Sequence, residues 1–251
     1  MPRNAYGRSI RKRRRKGRKS HKSRSRKIGG SGEKPFAIVQ YENRELSEID
    51  KAFIDRNRKY CRQHAYEYIL IQEGYKDLPF WWRKVQLVKD MLTTDKYRGC
   101  LWLDTDACIY DMNVKLDSIV EEKFHFYMSG DITNTNPNGS LSPGRLFNAG
   151  VWLVMNTADG KDIMDKWISK YNKDNWDNDP QKNTWSTSGM WSGSNYEQGS
   201  FIEHILPTFT EKIKKLDRDY FNALKVHPGT FIVHFYLGKE HQAGFIKDNP
   251  L

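Results

Sequence analysis

Apolar positions along the chain alternate between strand-like runs and helical spacing. Phe36-Ala37-Ile38-Val39-Gln40-Tyr41 predicts a short strand. Ser47 stands where a cap would, ahead of a stretch whose Ala52, Phe53, Arg56, Tyr60 and His64 keep to one side, which predicts a helix from Glu48. Tyr66 to Ile71 predicts a second strand. Trp81 to Leu92 predicts a second helix, with Trp82, Val85, Val88, Met91 and Leu92 near helical spacing, and Leu101 to Leu103 a third strand. Strand, helix, strand, helix, strand predicts an α/β fold with a mostly parallel central sheet and right-handed crossovers. Phe124 to Met128 and Phe147 to Asn156 add strand patterns on either side of a loop at 133–144 rich in Asn, Pro, Gly and Ser. Asp159 to Tyr171 predicts an amphipathic helix, residues 172–195 a long polar segment, Glu197 to Leu206 a short helix, and Phe231 to Phe235 a final apolar strand.

The third strand ends in Asp104-Thr105-Asp106, inside the run from Gly99 to Ile109. Two carboxylates at the end of a buried strand are costly unless something cationic meets them. A divalent metal bridging them to a phosphate is the commonest solution, and ligands of parallel sheets gather at the carboxyl ends of strands. The plainer alternative is a pair of solvated turn acids or a cap on a following helix.

Charge divides the chain. The net charge is +11, yet residues 1–32 carry 14 Lys and Arg and no acid, which leaves 28 basic residues against 31 acidic ones in the remainder. Residues 1–32 therefore read as a disordered basic tail with a Gly/Ser linker, and residues 33–251 as one domain. The tail suits nucleic acid, an anionic membrane surface or an importer, or serves only as a solvated tail. Nothing aromatic interleaves its charges, so base stacking is not indicated. The three cysteines, Cys61, Cys100 and Cys108, form neither a Cys-X-X-Cys pair nor a zinc spacing. They point to a reduced, cytoplasmic compartment, with nuclear or membrane-surface association left open by the tail. No run of about 18 apolar residues predicts a membrane span.

The ordered landmarks resemble the galactosyl/mannosyl/xylosyltransferase family, glycosyltransferase family 34. These are Asn57-Arg58-Lys59-Tyr60-Cys61, Trp82-Arg83-Lys84-Val85, Trp102-Leu103-Asp104-Thr105-Asp106-Ala107, Phe147-Asn148-Ala149-Gly150, Tyr196-Glu197-Gln198 and Val233-His234-Phe235. The chain departs from that pattern in its basic tail, in Tyr236-Leu237-Gly238-Lys239 after the closing His, and in Glu197 where the family often has Asp. The resemblance implies a GT-A, Rossmann-like nucleotide-diphospho-sugar transferase fold. It also implies a metal-dependent, retaining enzyme that moves a hexose or pentose from a nucleotide-diphosphate sugar, UDP-linked first, to a glycan or other hydroxyl acceptor.

The same resemblance implies roles for single residues. Asp106 is the foremost metal ligand; Asp104 bonds the ribose or reaches the ion through water, and His234 completes the set. An imidazole suits Mn²⁺ better than Mg²⁺. Lys84, Asp131, Asn148, Ala149, Gly150, Gly238 and Lys239 join Asp104 on the donor. Glu197 and Gln198 flank the reacting carbon: a carboxylate nucleophile would serve double displacement, and a polar group steadying positive charge would serve a front-face route. Trp185 and Trp191 offer faces for an acceptor sugar, or anchor the loop in the core. Rival readings are a nucleotide-sugar hydrolase or nucleotidyltransferase using the same acids, and a nucleic-acid-associated protein acting through its tail.

Overall fold

The computed structural model describes residues 34–130, 146–236 and 238–249. The basic tail and the whole loop predicted at 133–144, with Asp131, lie outside the described residues. The elements, in chain order, are β1 (Phe36–Tyr41), α1 (Glu48–His64), β2 (Glu67–Ile71), α2 (Phe80–Thr93), β3 (Gly99–Leu103), β4 (Ala107–Ile109), β5 (Phe126–Met128), β6 (Val151–Met155), α3 (Ala158–Ile168), β7 (Trp176–Asp179), β8 (Thr184–Thr187), α4 (Glu197–Ser200), β9 (Ile213–Lys215), α5 (Arg218–Phe221), β10 (Ile232–His234) and α6 (Lys239–Asp248).

Local chemistry sets the first elements much as the pattern predicts. Ser47 caps α1 and Asp50 bonds back to it, a reciprocal capping box that satisfies backbone donors otherwise orphaned at a helix start. Phe53, Ile54, Asn57, Tyr60 and Cys61 form the buried face of α1. Helix α2 starts directly after Pro79, where the missing N–H does no harm.

The central sheet has six strands in the order β2-β1-β3-β6-β5-β9. All run the same way except β6, which is antiparallel to both β3 and β5. The pattern predicted a strand there but not its direction. Register decides what β6 does for the site: Leu103 at the carboxyl end of β3 faces Val151 at the start of β6. The Asp104 turn and the Asn148–Gly150 turn are therefore neighbours, joined by the Asp104 N–H donating to Gly150 O at 2.8 Å.

The apolar run at 99–109 is not one strand. It turns at Asp104–Asp106, with the Ala107 N–H donating to Asp104 O at 2.9 Å, and resumes as β4 in a second, two-stranded sheet with β10. Residues 172–195 contain the β7–β8 hairpin, and the stretch from Glu197 is α4 continuing into a π-helical turn at Phe201–Ile205. Below the site, Phe126, Phe147, Trp152, Trp167 and Phe201 pack with ring centroids 4.5–6.2 Å apart. Two of these indoles also hold the backbone of the site: Trp152 donates to Ala149 O at 3.1 Å and Trp167 to Glu197 O at 2.9 Å. Among the described residues no helix is long and apolar enough to cross a membrane. The three cysteines are free and buried, and burial pushes their thiols up to about 12.

Candidate metal and donor site

Asp106 precedes β4, and in the β4–β10 pair Ala107 faces His234. This pairing brings together side chains 128 positions apart: His234 Nε2 lies 3.1 Å from Asp106 Oδ1. Asp104, Asp106 and His234 each contribute one donor atom within 4.8 Å of the others. Two hard carboxylate oxygens and one imidazole nitrogen, already gathered, fit a divalent cation, and the imidazole favours Mn²⁺ over Mg²⁺. Burial works against the Asp106 carboxylate, but His234 outweighs it and holds the acid below its ordinary pKa. Burial likewise disfavours a charged His234, and Asp106 raises its pKa in return.

Lys84 comes up from α2 beneath this cluster. Its Nζ lies 2.7 Å from Asp104 Oδ1, 3.3 Å from Ala149 O and 3.6 Å from Glu197 Oε1. Burial would strip its proton, but the Asp104 and Glu197 carboxylates prevail and raise its pKa. The Trp102 indole N–H donates to the same Asp104 oxygen at 2.7 Å. Glu197 is only 3% exposed; burial pushes it up to about 7, with Lys84 opposing that shift.

The buried Asn148–Gly150 turn lies beside Asp104, behind the residues that line the cavity. Asn148 Oδ1 accepts from the Gly150 N–H and Gln198 Oε1 from the Ala149 N–H, both at 2.9 Å. Gly150 is required sterically, because a Cβ there would come within 2.0 Å of His234 Cε1. A cavity of about 630 Å³ is lined by Lys84, Asp104 and Asp106 together with Tyr41, Arg44, Phe235, Tyr236, Gly238 and Gln242. Gly238 has φ +138°, a value that disfavours any side chain, and leads into α6. The Lys239 side chain lies outside the described residues.

The tryptophans separate. Trp185 is buried in the main core with Trp176, whereas Trp191 is 64% exposed. Trp191 packs on Trp81 and Tyr196 with centroids 5.5 and 4.9 Å away, and Trp81 lines the cavity.

Several supporting residues escape a reading by motif. Gln40 donates to Asp104 O at 3.1 Å, and Asn57 accepts from the Ile109 N–H and donates to Ala107 O, tying α1 to β4. Both left a signal in the sequence, a polar residue in an apolar strand and on an apolar helix face. Glu42 is paired with Arg44 and accepts from Thr105 Oγ1 at 2.9 Å. Burial would raise its pKa, but Arg44 outweighs that and lowers it. Asn222 meets His234 Nδ1 at 2.8 Å. The links from Glu42 to Thr105 and from Asn222 to His234 carry no local signal, since those partners are remote.

A glycosyltransferase involved in the glycosylation of the major capsid of PBCV-1 superposes with a TM-score of 0.61 at 16% identity, over 85% of this chain and 99% of that one. The chain has a GT-A fold. Weaker likenesses are a Drosophila β1,4-galactosyltransferase 7 variant in complex with manganese, UDP-Gal and xylobiose (TM-score 0.44, 11% identity, 83% of this chain and 73% of that one) and the glycosyltransferase GlyE of Streptococcus pneumoniae TIGR4 (0.44, 14%, 81% and 55%). No known protein family and no curated protein matches the chain by sequence. The expected α/β class with a mostly parallel central sheet is thus the observed one, while family 34 remains a resemblance of motifs.

Proposed function

We propose that the chain is a metal-dependent glycosyltransferase. It moves a hexose or pentose from a nucleotide-diphosphate sugar, with UDP as the first-choice nucleotide, to a hydroxyl of a glycan or similar acceptor. One observation carries the reading: Asp104, Asp106 and His234 converge in a GT-A fold where the two acids line a 630 Å³ cavity, a size suited to a nucleotide sugar.

Asp106, His234 and Asp104 would hold Mn²⁺, which supplies a Lewis acid to neutralise charge on the departing diphosphate. Lys84 keeps its proton between two carboxylates and so presents a fixed cation beside the anionic donor. The Asn148–Gly150 turn supports the donor side from behind, through its hydrogen bonds with Asp104 and Lys84. Gln198 has its carbonyl oriented by the Ala149 N–H, which suits a group steadying positive charge at the anomeric carbon in a retaining, front-face transfer. Glu197 sits against Lys84, a position suited to holding the ammonium rather than attacking the sugar; like Gln198 and the Asn148–Gly150 turn, it lies behind the residues that line the cavity. Trp191, packed edge-to-face with cavity-lining Trp81, is the better placed of the two acceptor tryptophans.

Thermal melts with Mn²⁺ and a panel of UDP- and GDP-sugars test the reading. A ligand at 100 times its Kd stabilises by about 2.7 kcal/mol, which raises Tm by about 5–10 °C in a domain of this size. Asp106→Ala should fold and lose that response, and its sugar transfer with it. Wild-type protein that responds to no nucleotide sugar with Mn²⁺ present would refute the proposal. Release of free sugar with every acceptor tried would point to the hydrolase instead.

A further inference from the structure

After α5 the chain runs beside β10. The His234 N–H donates to Ala223 O at 2.8 Å, and the Ala223 N–H to Ile232 O at 3.0 Å. This places Asn222, fully buried, opposite the His234 ring, with Oδ1 2.8 Å from Nδ1. An amide oxygen only accepts, so the nitrogen facing it must carry the proton. In the neutral ring the other nitrogen, Nε2, then keeps its lone pair on the side of the Asp106 carboxylate, two acceptors 3.1 Å apart that face each other unfavourably unless a cation is shared between them.

Asn222 holds this position at a disadvantage. Its Nδ2 is buried and has no hydrogen-bond partner, and an unpaired buried donor is destabilising where an apolar side chain of similar shape is not. Among the described residues its side-chain hydrogen bond is the one to the ring, which offsets that loss. Gly150 closes the Cε1 edge of the ring, between its two nitrogens, since even a methyl group there would overlap Cε1.

We infer that Asn222 is a positioning residue that locks the proton of His234 on Nδ1 and so commits Nε2 to the metal. The inference rests on the proposed metal site. The same amide turned end for end would place an N–H against Nδ1, move the ring proton to Nε2 and close the lone pair, so ring tautomer and metal affinity report on one contact.

The experiment uses full-length protein with ¹⁵N-labelled histidine, free of metal and above the pKa of the ring. Nitrogen–proton correlation spectra of the wild type should show His234 protonated at Nδ1; protonation at Nε2 overturns the inference. Binding of Mn²⁺ alone, read by paramagnetic resonance of the free ion, should weaken about 10–100-fold in Asn222→Leu, the range typical of lost outer-shell partners. Asn222→Asp keeps an acceptor for the Nδ1 proton and should bind within a few-fold of wild type, an outcome that mere packing would not produce. Folded Asn222→Leu with wild-type affinity, or an Asn222→Asp protein as weak as Asn222→Leu, refutes the role. If the wild type binds no Mn²⁺, the metal reading itself fails and the purpose given to the tautomer goes with it, while the spectra still decide whether Asn222 sets the ring.

Discussion

Gly150→Ala tests how tightly the metal cluster is held. The new Cβ would lie 2.0 Å from His234 Cε1, 2.7 Å from Nε2 and 2.8 Å from Nδ1. Unstrained carbon contacts are ~3.5–4.0 Å, so ring and backbone must part by about 1.5 Å. Neither yields easily. The ring is buried and meets Asn222 and Asp106 at its two nitrogens. The backbone at 150 is tied through its N–H to Asn148 and through its carbonyl to the Asp104 N–H. Overpacking of this kind destabilises by about 1–3 kcal/mol, and each kcal/mol lowers Tm by about 2–4 °C in a domain of this size. Metal–ligand distances tolerate only about ±0.2 Å, so a ring displaced by more than that stops ligating. We expect a lower Tm in metal-free buffer by calorimetry, and at least a tenfold weaker Mn²⁺ affinity by titration, in the range seen when a ligand loses its support. A variant that melts with the wild type and binds Mn²⁺ equally well would refute the steric argument, because the ring would have room that the geometry denies it.

Three further outcomes are expected. Lys84→Met removes the cation shared by Asp104 and Glu197; uncompensated buried charge should destabilise by about 3 kcal/mol in denaturant titration, and an unchanged midpoint would contradict the shared pairing. Glu197, pushed up to about 7 by burial from an ordinary 4.5, holds a proton in the folded state that the unfolded chain has released between those values. Stability should therefore fall as pH rises through that window, by up to about 3 kcal/mol relative to Glu197→Gln; parallel pH profiles would sink the assignment. Trp191→Ala should raise acceptor KM about fivefold, the worth of one aromatic contact, and leave donor affinity unchanged; a matching loss of donor affinity would count against an acceptor role.

Much of the framework was legible because it is local. Phe36–Tyr41, the Ser47 cap, and the helix through Trp82, Lys84 and Val88 follow from periodicity and capping within a few residues. The β7–β8 hairpin was not, because Trp-Asp-Asn-Asp and Thr-Trp-Ser-Thr lack alternating apolar residues and are paired by their backbones. Helix α6 also escaped: among its ten residues only Ala243, Phe245 and Ile246 are apolar beside a central Gly244, and it is held by Phe245 packing on Phe53 and Phe235.

The sequence by itself determined an α/β chain whose third strand ends in two acids, because an apolar run and the residues that stop it are read from neighbours. Only the tertiary structure decided that the run folds back at Asp104–Asp106 to make β4, that β10 pairs there to deliver His234, and that β6 runs against its neighbours to set Gly150 beside Asp104. Strand direction and register are fixed by packing between distant segments, as is the burial that raises Glu197 and the placement of Asn222 behind the imidazole. The chemistry of the acids was written locally, whereas their partners came from pairings across as many as 128 positions of chain.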